Sequence, residues 1–371
     1  MLLQNKRVAI IGGGPAGLTL ARLLQQKGLK VNVYERDKNA EARVWGSTLD
    51  LHKDSGQKAW NEAGLLKLYF DQALPMGRIV TDEKNKLLST RPADYSNPEI
   101  NRTVLRNILL ESLANDTIVW DKRLIALEPD REQWLLHFEG KTTSVADMVI
   151  GADGGLSNVR QFVTNTEVEY TGSFIIQGDI AQPELRCPEF YRFCKGNILM
   201  TSKQGINLVL NPCNGGVMSY GITFSNLDVG LNCFDFRDSV STIKFLMTMF
   251  TNWDEVYKGL FRATTSFAGL PSRLLPLDRP WKTDRLLPVT LIGDAAHIMP
   301  PFAGQGVNTG MMDALILSRN LVDTNFGTLG AAISDYEQKM FIYAKAAQAE
   351  TSKNEIEMHQ PTFSFRQRFS N

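Results

Sequence analysis

The stretch Val8-Ala9-Ile10-Ile11-Gly12-Gly13-Gly14-Pro15-Ala16-Gly17 decides the fold. Four apolar residues in an unbroken run read as a strand buried on both faces. The glycines that follow spell G-x-G-x-x-G. Gly12 allows a tight turn, Gly14 lets a pyrophosphate approach the backbone, and Gly17 lets the next helix pack on the strand. Leu18, Leu20, Ala21, Leu23 and Leu24 then recur at helical spacing, and Gly28 stops that helix. Val31 to Glu35 is a second strand. Its last residue, Glu35, is placed to accept the hydroxyls of a ribose. Arg36 either flanks the adenosine or is a solvated surface arginine. One βαβ unit with a dinucleotide fingerprint therefore opens the chain.

Further along, Arg102 to Leu113 has the pattern of an amphipathic helix. Thr117 to Trp120 and Met148 to Ile150 read as strands. Between Thr171 and Phe224 the character changes. Phe174 to Ile180, Ile206 to Leu210 and Val217 to Phe224 are rich in β-formers and broken by Gly, Pro and Asn, which predicts an antiparallel sheet. Val289 to Ile292 returns to the buried-strand type. Val307 to Leu321 is a helix, and a long one runs from Gly330 to about Ser352. The fold class expected is α/β: a doubly wound, Rossmann-like dinucleotide domain, an antiparallel-sheet substrate domain and a C-terminal bridging helix. The boundaries expected are 1–70, 98–165 and 270–325 for the first domain, 71–97 and 166–269 for the second, and 326–371 for the helix.

The rest of the composition narrows the function classes. The chain has 371 residues, enough for two domains, with 43% hydrophobic and 22% charged residues. Forty basic residues balance forty acidic ones, so no global bias towards nucleic acid or anionic lipid exists, and neither is expected as a partner. Cys187, Cys194, Cys213 and Cys233 form no C-x-x-C pair, and the histidines are few and scattered. No metal site or disulfide framework is expected. No signal peptide fits before the first strand and no apolar run reaches a membrane span, so a cytoplasmic protein is expected.

Two more motifs carry chemistry. Asp153-Gly154-Gly155-Leu156-Ser157-Asn158-Val159-Arg160 follows a strand. Taken by itself it is a strand-to-helix turn with a capping serine, in which Arg160 fixes the turn or meets an anion. Gly293-Asp294-Ala295-Ala296-His297 ends another strand and runs on through Pro301 to Asn308. Asp294 projects into the crevice at the strand's carboxyl end, where it can accept from a ribityl hydroxyl. The glycine-rich stretch Ala303 to Gly306 opens a helix whose N–H groups can hold negative charge on a reduced flavin ring. His297 is read as fixing this loop in preference to acting as a general base.

The three motifs, in this order over nearly the whole chain, resemble the class A flavoprotein monooxygenases of the para-hydroxybenzoate hydroxylase type. Gly46 to His52, Asn97 to Arg102, Ile292 to Asn308 and Asn354 to Met358 are most similar to the tetracycline-inactivating members, the tetracycline destructases. The resemblance implies non-covalent FAD, NADPH as a transient reductant, and O2 with a small-molecule substrate. The reaction it implies is hydroxylation of a polycyclic enol or phenol through a flavin C4a-hydroperoxide, by a monomer, with no protein nucleophile. Gly12, Gly14, Pro15, Gly17, Glu35, Arg36, Arg43, Arg102, Asp153, Asp294, Pro301, Gly304, Gly306, Val307 and Asn308 are the cofactor-binding positions it implies. Arg43-Val44-Trp45-Gly46 is the segment expected beside a moving flavin. Gln177, Met200, Asn211, Phe302, Gly304 and Met358 match the substrate pocket, which Pro301 also borders. Ile198, Ser219 and Val209 stand where that family carries an arginine, a histidine and a phenylalanine. The alternatives are a monooxygenase for another aromatic or polyketide compound, or a flavin reductase without oxygenase activity. A flavin halogenase is disfavoured because no W-x-W-x-I-P segment is present.

Overall fold

Val8–Ile11 forms the buried strand that its unbroken apolar run predicts, with all four residues buried. A computed structural model of the protein describes residues 2–42, 46–225 and 234–368. The strand sits at the centre of a five-stranded sheet ordered Val289–Leu291, Met148–Gly151, Val8–Ile11, Val31–Tyr34, Ile118–Val119. Every pairing in it is parallel. Helices Pro15–Gln26 and Gly306–Val322 pack against each other on one face of it. Parallel strands covered by helices bury both faces, which is why these segments carry apolar runs without alternation.

The second large sheet has seven strands, in the order Ser266–Leu274, Glu169–Ala181, Val217–Ser225, Ile206–Asn214, Ile198–Lys203, Arg78–Thr81, Leu87–Arg91. It is antiparallel as expected, except where Ile198–Lys203 meets Arg78–Thr81 in parallel. Its residues alternate between two faces, apart from register shifts at Tyr170/Phe174, Asn211/Asn214 and Val80/Thr81. Phe174, Ile176, Leu199, Leu208, Leu210, Tyr220 and Ile222 face helices Pro188–Cys194, Ser239–Met249 and Glu255–Ala263 and make a core with Phe190, Leu246, Tyr257 and Phe261. Residues of the opposite parity face the parallel-sheet half. The sequence reading passed over those last two helices. It also passed over a three-stranded antiparallel sheet of Leu124–Asp130, Gln133–Phe138 and Thr142–Ala146.

The long helix runs from Leu329 to Met358, about two turns beyond the expected end. Its apolar stripe stops there because the residues facing inward become polar. Gln348 donates to the Leu275 carbonyl at 2.8 Å, Thr351 to Pro300 at 2.5 Å and Asn354 to Phe302 at 3.1 Å. Glu355 accepts from the hydroxyls of Thr171 and Ser173 on the large sheet. This helix therefore fixes loop carbonyls of one half and a strand of the other. Thr351 is fully buried, so Thr351→Val should leave the Pro300 carbonyl without a partner and cost about 1–3 kcal/mol. Chemical denaturation reads that loss, and an unchanged midpoint would show that the loop finds another donor.

Candidate active site

The dinucleotide turn is built by close backbone approach. Gly12 has φ +109°, and a Cβ there would lie 2.3 Å from the Ala152 carbonyl oxygen. A Cβ on Gly17 would lie 2.3 Å from the Gly12 oxygen. Gly14 differs, because a Cβ there meets nothing within 4 Å. The backbone is thus open at Gly14, and no side chain caps the helix that starts at Pro15. Its first N–H groups point to whatever enters the crevice. Glu35 is 7% exposed and its carboxylate is held by Gly13 N at 2.5 Å and Asp37 N at 2.9 Å. Each oxygen keeps a lone pair for a hydroxyl. Arg36 is exposed beside it.

Two further loops meet this turn. Asp294 follows strand Val289–Leu291 and Gly293, which has φ +61°. It is exposed, whereas its neighbours Gly293, Ala295, Ala296 and His297 are buried. Arg160 is buried and gathers the two motifs together. It donates to the carbonyls of Ala295 at 2.9 Å, Gly155 at 2.8 Å, Gly154 at 3.4 Å and Asp294 at 3.1 Å. Of the two roles the sequence left open for it, the structure shows turn fixation. Burial pulls its guanidinium below the usual value, against the pull of Asp153 and Asp294. In Asp153 one carboxylate oxygen accepts from Asn158 N at 2.9 Å, and the other is buried without a partner. Burial raises the Asp153 carboxyl above its usual range.

His297 is fully buried, with its ring 2.6 Å from Asp313. Burial alone would lower its pKa, but the Asp313 carboxylate outweighs that and holds it above the usual value. Its place is structural, as the sequence reading favoured. Asn101 caps helix Arg102–Glu111, accepting from Thr103 N and Val104 N, and so delivers Arg102 to the crevice. The Arg102 guanidinium is enclosed although the residue as a whole is only half-buried. It donates to Ser47 O at 2.9 Å, and burial lowers its pKa against the field of Asp294. Gly304 and Pro301 are exposed, and Gly306 and Val307 are half-buried at the start of the Gly306–Val322 helix. Asn308 is placed differently. Its fully buried side chain accepts from His52 N at 2.7 Å and donates to Asp50 O at 3.0 Å. It staples the Leu49–His52 stretch to the helix and keeps no side-chain atom for a ligand. Arg43, Val44 and Trp45 lie outside the described residues.

The residues singled out on the large sheet share one face. Gln177 pairs with Gly221, Gly221 with Val209, Val209 with Met200 and Met200 with Val80, a row across five strands. Phe302, carried by the loop after Asp294, packs with Val80, Met358, Met200 and Val209. The loop from one half thus reaches the sheet face of the other. Asn211 donates to Thr48 at 2.6 Å, and Thr48 to Glu99 at 2.7 Å. Glu99 also takes Arg78 at 3.0 Å. Burial, then the nearby Asp50, pushes the Glu99 carboxyl above its usual range. Ser219 donates to Asp179 at 2.6 Å and accepts from Asn214 at 2.8 Å. Asn214 reaches on to Gly46 O and to Asn101. Ser219, expected on the substrate side, is a link in this buried chain. Ile198 is buried opposite Arg78. Gln177, 8% exposed, keeps its amide nitrogen without a partner.

The comparisons follow this geometry. The FAD binding domain family matches residues 5–180 and 277–349. The chain belongs to that family. It is 27% identical to the monooxygenase asqM of Emericella nidulans, over 95% of this chain and 96% of the relative. It is 26% identical to the kynurenine 3-monooxygenase of Salinispora tropica, over 90% of this chain and 76% of that one. The tetracycline destructase Tet(55) shares the fold with a TM-score of 0.79 at 20% identity, over 97% of this chain and 92% of that one. The protein is thus an FAD-dependent monooxygenase of the class A flavoprotein hydroxylases. The residues present fit FAD. The cradle is open at Gly14, a Cβ on Gly306 would meet nothing nearer than 3.9 Å, and that nearest atom belongs to the exposed Asp294.

The reading from sequence missed Asp313, Asp179, Glu99 and Thr48. A signal exists for Asp313. It is one acid inside Met311-Met312-Asp313-Ala314-Leu315, and a charge on an apolar helix face is buried only when paired. Among the described residues no group of His, Cys, Asp and Glu is placed to hold a metal. No described helix is long and apolar enough to cross a membrane.

Proposed function

We propose that the protein hydroxylates an electron-rich carbon of a polycyclic enol or phenol, using NADPH. The observation that carries this is the buried, unpartnered Gln177 amide, at one end of the row that runs through Val209 and Met200 to Val80, against which Phe302 and Met358 pack. A buried donor without a partner costs free energy unless a ligand supplies an acceptor. An enol, phenol or carbonyl oxygen on a flat apolar ring system meets that need. Glu35 and Arg102, with the backbone at Gly14 and Gly306 and the Asp294 carboxylate, hold the cofactor. Bound FAD supplies the transfer of two electrons from NADPH to dioxygen, one oxygen atom then entering the substrate and the other leaving as water. The protein's part is orientation and exclusion of water. Met200, Val209, Phe302 and Met358 wall the site, and Gln177 fixes the ring's register.

Product identification by mass spectrometry, across a panel of tetracyclines and neutral polyphenols with NADPH, tests this reading. NADPH oxidation that yields only hydrogen peroxide with every compound would overturn it. Gln177→Leu should raise KM about tenfold, the worth of one hydrogen bond to a buried donor. A wild-type KM in that variant would remove Gln177 from the site.

Tetracycline itself should be hydroxylated slowly. Ile198 and Val209 offer no polar or aromatic grip, and the Ser219 hydroxyl is committed to Asp179 and Asn214. Ile198→Arg should raise kcat/KM for tetracycline. Ser219→His should not, because the imidazole would break the Asp179–Ser219–Asn214 chain. Turnover by the unaltered protein as fast as that of a destructase would show that these positions do not grip the ligand. The same commitments favour a second reading, a smaller neutral aromatic substrate, which the panel also covers.

A further inference from the structure

Asp313 lies on helix Gly306–Val322 and is 0% exposed. Burying a carboxylate costs several kcal/mol unless its oxygens are fully hydrogen-bonded, as an order of magnitude. Here three donors from three elements converge on it. One oxygen takes Gly293 N at 2.7 Å and the His297 ring nitrogen at 2.6 Å. The other takes the Tyr343 hydroxyl at 2.5 Å. Tyr343 belongs to the long helix Leu329–Met358.

Gly293 holds φ +61° and ψ −145°, a conformation nearly confined to glycine. Two grips lock the residue pair that follows. Asp313 holds the Gly293 N–H, and Arg160 holds the Asp294 carbonyl from the other side at 3.1 Å. Gly310, one turn before Asp313, adds a third constraint, since a Cβ there would lie 3.1 Å from the Gly293 Cα. With the backbone clamped at both ends, the direction in which the Asp294 side chain leaves the turn is fixed. Met358, at the C-terminal end of the helix that carries Tyr343, packs with Phe302 on the sheet face read as the substrate wall.

We propose that Asp313 is a positioning residue for the cofactor. It sets the aim of Asp294 through the Gly293 N–H and ties that turn, through Tyr343, to the helix that carries the substrate wall. The proposal rests on the reading of Asp294 as a cofactor ligand, and its test separates the two. A second buried carboxylate supplies the control. Glu337, on the same long helix, is bound to Arg285 at 2.6 Å and to Thr290 at 2.6 Å, and touches no residue of the cofactor turn.

The experiment is FAD titration of the full chain stripped of flavin, followed by fluorescence, with visible circular dichroism of the bound flavin as a second readout. Asp294→Ala should weaken FAD by about 30-fold or more and Asp313→Asn by about tenfold or more, while the double variant should stay within about threefold of Asp294→Ala, since two residues acting through one contact are not additive. Tyr343→Phe should weaken FAD about threefold and alter the flavin's dichroism, the worth of one neutral donor. Glu337→Gln should lower thermal stability and leave the FAD Kd unchanged. Full FAD affinity in Asp313→Asn overturns the proposal. So do losses at 313 and 294 that multiply, or a Glu337→Gln loss equal to that at 313. If Asp313→Asn does not fold, Tyr343→Phe decides, and wild-type affinity with unchanged dichroism there overturns the proposal as well. Unchanged affinity in Asp294→Ala overturns the ligand reading itself.

Discussion

Arg160→Lys should damage the protein nearly as much as Arg160→Ala. The guanidinium donates to four carbonyls spread over two loops, those of Gly154, Gly155, Asp294 and Ala295. Its planar fork spans them because its donors are fixed in direction. An ammonium on a lysine stem is a single point and cannot reach both loops at once. Each carbonyl left buried and unbonded costs about 1–3 kcal/mol, so both variants should lose roughly 3 kcal/mol or more. FAD affinity should fall with stability, since the loops that border the cradle are the ones released. Urea denaturation and flavin titration measure the two losses. Retention of more than half of the stability by Arg160→Lys would show that water replaces the missing donors.

The second large effect is expected at Gly12. Alanine there meets two separate penalties. Its Cβ falls 2.3 Å from the Ala152 oxygen, a backbone atom that cannot swing aside. Its φ of +109° is also one that L side chains rarely adopt. Relief requires the strand Val8–Ile11 and the strand Met148–Gly151 to part at their carboxyl ends, where the cofactor's phosphates are expected. Gly12→Ala should purify colourless or fail to fold. Gly14→Ala has no such clash, and its cost should appear only when FAD is added. A yellow Gly12→Ala protein with normal FAD content would mean that the turn is not where the cofactor sits.

These contrasts show what could be read from the sequence. The parallel sheet was legible because a strand buried on both faces carries an unbroken apolar run, as in Val8–Ile11 and Met148–Gly151. The glycine fingerprint was legible because Gly12 and Gly17 answer local steric demands and Gly14 leaves the backbone open. The three-stranded sheet from Leu124 to Ala146 was not, since Leu124–Asp130 carries Pro129 and two exposed acids and Thr142–Ala146 buries only Ala146, which leaves Gln133–Phe138 alone with an alternating pattern. The end of the long helix was misjudged because Thr351, Asn354 and Glu355 look like solvent-facing residues in a sequence, yet each is buried against a partner distant along the chain. The candidate site divides in the same way. Gln177, Val209 and Met200 shared a parity along their strands, but the row they form needs the register of strand pairing. Nothing local to Ser219 announces Asp179, or to Asp313 announces Tyr343, because those bonds exist only after the two sheets and the long helix have come together.

The edge strand Val289–Leu291 joins Met148–Gly151 only after the five strands from Glu169 to Leu274 have intervened in sequence. On a ribosome, the first four strands of the parallel sheet emerge well before their fifth, which leaves the Met148–Gly151 edge unpaired while the other sheet is being made. An open edge of four buried-type residues invites pairing with another chain. Such a wide separation between partners also slows closure. That edge therefore stays without its native partner in the nascent protein until residue 291 has cleared the exit tunnel.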